Sequence, residues 1–169
     1  MQQTLAHGRA LGHVVLNVTS LAQSVPFYVE ALGLRVVGRI EAADRDRIGD
    51  IVFLSFGAHH HDVGLREVSP LGRAPRDAQD SPCAGLSHVA FRFGDRIEDL
   101  EHVVRRLMQA GAHGVRAVDH GATRSVYFND PDGLVLEAYV GDDALPDSPL
   151  SIVATPLLID FDTGTVADR

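Results

Sequence analysis

The run Leu11-Gly12-His13-Val14-Val15-Leu16 returns 75 positions later as Leu86-Ser87-His88-Val89-Ala90-Phe91. Both runs are apolar and suited to strands, and each carries a single histidine in third place. The segments downstream of the two runs also match. After the first, Ser20 stands at an N-cap position, and Leu21, Val25, Tyr28 and Leu32 recur along one helix face until Gly33 ends it. After the second, Ile97, Leu100, Val103, Val104 and Leu107 form the stripe and Gly111 takes the terminating place. Strands are then expected at Leu34–Arg39, Ile51–Phe56 and His61–Val68 in the first copy. In the second they fall at Gly114–Val118, Arg124–Asn129 and Leu134–Val140, with Asp130-Pro131-Asp132-Gly133 a tight turn between the last two. The chain reads as an α+β protein built from a duplicated β-α-β-β-β module.

The repeat divides the sequence into an N-terminal extension 1–10, a first module 11–68, a connector 69–85, a second module 86–141 and a tail 142–169. The connector is rich in Pro, Gly, Asp and Arg. The tail, punctuated by Pro146, Pro149 and Pro156, is expected to pack on the body or close over a site. The composition is that of a globular protein, with 45% hydrophobic and 22% charged residues in 169. A net charge of −8 argues against nucleic acid or an anionic membrane as partner. All 15 basic residues are arginine, which excludes a lysine Schiff base. The single Cys83 excludes an intramolecular disulfide and a cysteine-built cluster. With no apolar leader and no long apolar run, the chain is expected to be soluble and cytoplasmic.

His13 and His88 read as mid-strand residues in segments that favour burial, where a lone histidine is most often a satisfied core residue. Duplication alters that reading, because equivalent strands of paired modules lie about a pseudo-twofold axis and can bring two imidazoles to one point. Glu137 sits in the otherwise apolar strand Leu134-Val135-Leu136-Glu137-Ala138-Tyr139-Val140. A buried carboxylate there requires a cation, either a metal or an arginine from elsewhere in the fold. Two imidazoles and one carboxylate form the facial set of non-haem Fe(II) oxygenases, and the same donors also suit Zn, Mn, Ni or Co.

These residues resemble the vicinal oxygen chelate superfamily, which includes glyoxalase I, fosfomycin resistance proteins and type I extradiol dioxygenases. The resemblance covers Leu11 to Gly141. It implies two paired modules forming one barrel-like cleft, with His13, His88 and Glu137 as metal ligands. A second set of motifs resembles the small one-domain enzymes of the catechol 2,3-dioxygenase type. The segment Phe53-Leu54-Ser55-Phe56-Gly57-Ala58-His59-His60-His61-Asp62-Val63-Gly64-Leu65 is similar to one whose last histidine is the active-site acid–base, a role that falls on His61. Asp119-His120-Gly121 and Ser125-Val126-Tyr127-Phe128 are similar to a pair that hydrogen-bonds the bound diol, which assigns His120 and Tyr127 as donors to it.

The resemblance therefore implies Fe(II)-dependent ring cleavage of a catechol-type diol by O₂, giving a muconic semialdehyde, in a homo-oligomer. Rival readings on the same fold are a glyoxalase-like isomerase or thiol transferase using Ni, Zn, Mn or Co, and a non-catalytic protein binding an aromatic or drug-like ligand. Gly64 stands where glyoxalase I places a fourth ligand, a glutamate. Glu67 is close by, and a register shift in that strand would restore the isomerase reading.

Overall fold

Each glycine expected to end a helix does so in the computed structural model of the chain, which describes residues 10–41, 49–68, 85–142 and 153–168. Helix α1 (Leu21–Leu32) closes on Gly33, whose φ of 71° lets its N–H reach the Val29 carbonyl at 3.0 Å. Helix α2 (Ile97–Gln109) stops the same way. Gly111 has φ 71°, and the Ala112 N–H returns to the Leu107 carbonyl at 2.9 Å. Leu100, Val103, Val104 and Leu107 are the buried face of α2, as its spacing predicts.

The buried face of α1 is Ser24, Phe27, Tyr28, Ala31 and Leu32, rotated from the expected stripe, with Leu21 and Val25 only half-buried. The rotation reflects the surfaces that α1 faces. It packs on its own sheet and against α2, and the Phe27 ring lies 6.4 Å from that of Phe128 in the other module. Ser20 occupies the N-cap position without a side-chain bond. Glu67 takes its place, accepting the Leu21 N–H on Oε2 at 2.7 Å, a carboxylate at the positive end of a helix whose first turn carries no acid.

The strands form two sheets of matching order. The first module gives β1 (Val14–Val18), β4 (Val63–Glu67), β3 (Ile51–Ser55) and β2 (Arg35–Ile40), side by side in that order. The second gives β5 (Val89–Gly94), β8 (Val135–Gly141), β7 (Thr123–Asn129) and β6 (His113–Asp119), extended at the β6 edge by β9 (Thr155–Pro156) from the tail. In each sheet the first and last strands of the module pair in parallel and the others antiparallel. A small hairpin of β10 (Leu158–Ile159) and β11 (Val166–Ala167) packs on α2. This α+β architecture is that of the vicinal oxygen chelate fold, and among the described residues β1 and β5 are sheet edges. Most of the connector and the extension lie outside the described residues.

The modules join helix to helix, through one turn, and through Phe56, which lies against Phe91 and Phe93. The Asp130–Gly133 turn, expected only to link two strands, is the strut between them. Asp130 is 3% exposed; its Oδ1 accepts the N–H groups of Asp132 and Leu134, and its Oδ2 accepts the buried Tyr28 hydroxyl at 3.0 Å. Burial raises the pKa of both Asp130 and Tyr28. Asp132 in turn accepts the Thr19 hydroxyl at 2.7 Å and the Thr19 N–H at 2.9 Å. Among the described residues no helix is long and apolar enough to cross a membrane.

Candidate metal centre and its neighbours

Strand alternation sorts the second module into two faces. Phe91, Val126, Phe128, Leu136, Ala138 and Val140 are buried in the core. Glu137 and Tyr127, cross-strand partners on β8 and β7, belong to the opposite face, with Ser125 two residues from Tyr127. Glu137 is still only 7% exposed. Among the described residues no arginine, the alternative to a metal, pairs with it, and the carboxylate is held by two other groups. Oε2 lies 3.0 Å from His88 Nε2, and Oε1 accepts the buried Ser125 hydroxyl at 2.5 Å. Two donors each about 2.1 Å from one ion and at right angles to each other sit about 3.0 Å apart, so His88 and Glu137 already have the spacing of adjacent ligands. The other His88 nitrogen, Nδ1, is 3.4 Å from the Ser87 hydroxyl.

The expected donor pair adjoins them. The Tyr127 ring stands edge-on to His88 with centroids 5.6 Å apart, and its hydroxyl is 3.0 Å from His120 Nε2. Burial raises the Tyr127 pKa, the Glu137 charge and a hydrogen bond to that carboxylate add to this, and the Arg116 charge opposes it. Arg116 stacks its guanidinium carbon 4.1 Å from the Tyr127 ring centroid. Neither Ser125 nor Arg116 stands out in the sequence as a site residue. Strand alternation alone puts Ser125 on the face of Tyr127, and the register Arg116↔Tyr127 is legible only once the sheet is built.

His13 and His61 form a second group. Each of His13 and His88 lies one residue before its strand and is exposed, a correction to the mid-strand, buried placement. Of the three successive histidines, His59 and His60 are exposed and His61 is half-buried. Asp62 shapes this bend. It accepts the Phe56 N–H at 2.8 Å and the Ser55 hydroxyl at 3.1 Å, and it pairs with His59 at 3.1 Å. The His61 ring packs 4.8 Å from Phe53 and 4.4 Å from His13, and its Nε2 is buried without a partner. Loss of solvent, with the neighbouring His60 and His13, lowers its pKa, which favours the neutral imidazole a base requires.

The two groups do not meet within one chain. Among the described residues no three metal-ligating side chains cluster, so the expected convergence of His13 on His88 and Glu137 is not met in one copy. The way the modules pack gives the reason. Thr19, at the far end of β1 from His13, bonds Asp132 beside the start of β8, and hence of β5. Phe56, next to the His13 end, lies 5.7 Å from Phe91 and 6.1 Å from Phe93, further along β5. The strands run in opposite senses, with their histidines at opposite ends.

The register also settles the place of Gly64. It pairs with Val15 as Glu137 pairs with Ala90, so Gly64 is the counterpart of the glutamate, and Glu67 is committed to the start of α1.

Comparison with known proteins bears out the fold. Residues 10–138 match the family model described as Glyoxalase/Bleomycin resistance protein/Dioxygenase superfamily. Biphenyl-2,3-diol 1,2-dioxygenase 3 of Rhodococcus globerulus is 31% identical over 137 residues, 81% of this chain and 66% of the relative's length. Glutathione transferase FosA of Serratia marcescens is 34% identical over 134 residues, 79% of this chain and 82% of that protein. Among solved structures, a glyoxylase/bleomycin resistance protein/dioxygenase domain from Frankia sp. EAN1pec superposes with a TM-score of 0.64 at 25% identity. It covers 80% of this chain and 100% of that one.

Proposed function

The chain belongs to the glyoxalase/bleomycin resistance protein/dioxygenase superfamily, and from that premise we propose that it is a metal-dependent extradiol dioxygenase acting on a catechol-type diol. The observation that carries the reading is the buried Glu137 carboxylate set 3.0 Å from His88 Nε2 with the Tyr127–His120 pair beside it. Since one chain holds two ligands at one place and His13 at another, the proposal includes a second copy whose His13 completes the set. The open edges β1 and β5 are where two copies would join. Exposed Val15, Val36 and Val37 in the first module's sheet would be covered in the process.

When bound, the metal, Fe(II) in this reading, supplies vacant coordination positions and the redox chemistry that links a chelated diol to O₂. The protein's own residues do the rest. Glu137 and His88 would hold the ion, with Ser125 fixing the carboxylate. His61, arriving with His13 from the second copy, takes a proton from a diol hydroxyl through its unpartnered Nε2. Tyr127, held by His120, would position the diol oxygens from the other side. The product is a ring-opened muconic semialdehyde.

The relative in Serratia marcescens carries a second reading, a thiol transferase on the same scaffold. Oxygen uptake separates the two. Protein purified anaerobically and loaded with iron is expected to consume O₂ and yield a coloured product with catechol or a biphenyl-type diol. His61→Ala is expected to keep its metal and lose most of the cleavage. Iron-loaded protein that consumes no O₂ with any of several diols, yet joins a thiol to an electrophile when loaded with Mn, overturns the dioxygenase in favour of the transferase.

A further inference from the structure

His120 is held at both ring nitrogens, and its two partners differ in kind. Nδ1 is 2.7 Å from the main-chain carbonyl oxygen of Val153, and Nε2 is 3.0 Å from the Tyr127 hydroxyl. A carbonyl only accepts, so Nδ1 must carry the proton, and a neutral imidazole then has a bare Nε2 that can only accept. Tyr127 must donate to it. The arrangement does not match the role expected of His120 as a donor to the bound diol.

Val153 opens the described part of the C-terminal segment, which is firmly tied to the second module. The segment continues as β9, pairing Thr155 with Asp119 and Pro156 with Val118, immediately before His120. Leu157 is buried, and its N–H reaches the Ala117 carbonyl at 3.0 Å. Further on, the Val166 N–H bonds Glu101 at 3.2 Å, and Asp168 pairs with Arg124 at 3.6 Å. Arg124 also reaches Asp119, which fixes the Gly121 N–H at 2.6 Å. His120 is thus clamped on both flanks while the tail supplies the acceptor for its ring.

We infer that the C-terminal segment is part of the active site: the Val153 carbonyl locks the proton of His120 on Nδ1, so that Nε2 draws the Tyr127 hydroxyl proton and Tyr127 faces the diol as an acceptor. Val153 is a positioning residue that acts through its main chain. His120 Nε2, 3.0 Å from the Tyr127 hydroxyl, takes this hydrogen bond, since the Glu137 carboxylate would be committed to a metal when one is bound. Tyr127 then receives a hydrogen bond from an undissociated diol hydroxyl, which selects the protonation state in which substrate enters. The inference about Tyr127 and substrate rests on the proposed diol chemistry, whereas the tautomer does not.

Long-range ¹H–¹⁵N spectra of the intact chain, metal-free and zinc-loaded, report the tautomer, with His120→Gln assigning the signals. A protonated Nδ1 and a bare Nε2 on His120 are expected. A proton on Nε2 in the intact chain overturns the inference. Weakening the carbonyl by replacing the Val153–Ala154 amide with an ester is expected to raise the fraction with a proton on Nε2 and to lower kcat about tenfold with KM little changed, a loss of orientation rather than of binding. An unchanged tautomer in the ester form also overturns it. A chain that shows the Nδ1 proton but cleaves no diol refutes the proposed function and leaves the role of the tail standing.

Discussion

Co-expression of two inactive variants tests the shared site most sharply. His13 and the Thr19 end of β1 are six residues apart, about 20 Å of extended chain, and it is the Thr19 end that meets the second module near His88. Among the described residues no three metal-ligating side chains cluster in one copy, so the proposed site draws His13 from a second copy. His13→Ala and His88→Ala alone are each expected to bind metal poorly and to be inactive. In a mixed dimer, the His13→Ala copy supplies His88 and Glu137, and the His88→Ala copy supplies His13. One of the two sites is then whole and the other lacks both histidines. Random pairing makes about half of the dimers mixed, so the co-expressed pool should recover about one quarter of wild-type metal and activity. Dimers isolated through two different tags should hold one metal per pair, read by elemental analysis. A metal-free mixed dimer, or an 18.2 kDa monomer carrying a full metal equivalent, refutes the reasoning.

Ser125→Ala leaves Glu137 Oε1 without its donor; metal affinity should fall about 10- to 100-fold, seen by competition with a chelating dye while the fold is retained by circular dichroism. Glu67→Ala removes the acceptor for the Leu21 N–H and should cost about 1 kcal/mol of stability in urea unfolding without lowering metal content. A loss of metal there would instead make Glu67 a ligand. Tyr28→Phe should cost about 1–2 kcal/mol and Asp130→Ala about 3 kcal/mol, since the second change orphans the buried Tyr28 hydroxyl and two main-chain donors. Equal, small losses from both would show that the turn is not a strut.

Much of this structure was legible in the sequence because it follows from periodicity. Strand alternation set Glu137 against its apolar neighbours, and the glycine stops and helix stripes delimited the modules. The rotated face of α1 was not legible, since a helix covered on two sides shows no single stripe and its second cover is α2, distant in sequence. Nor was one partner of Glu137, Ser125. His88 was expected beside Glu137 as a fellow ligand and lies there, whereas Ser125 is brought in by the pairing of β7 with β8, which only the built sheet shows. The exposure of His13 and His88 was missed because the apolar run continues past them only on one side. Convergence of the two histidines was inferred from symmetry, but a pseudo-twofold axis is satisfied equally well by modules joined through their helices, and the chain takes that arrangement.

The asymmetry between the copies bears most directly on function. Duplication gives two equivalent last strands, and at the matching position one has Glu137 and the other Gly64. Had both kept a carboxylate, a site uniting two modules would hold four protein ligands and leave little of an octahedral ion open, which suits an isomerase that only polarises its substrate. With Gly64 the count in the proposed site would be three. A Cβ at that position would lie 3.2 Å from a Val15 methyl, so the space of the lost carboxylate is closed by apolar groups, with Phe53 alongside. In the proposed dioxygenase, three ligands on one face would leave open positions for the diol and O₂.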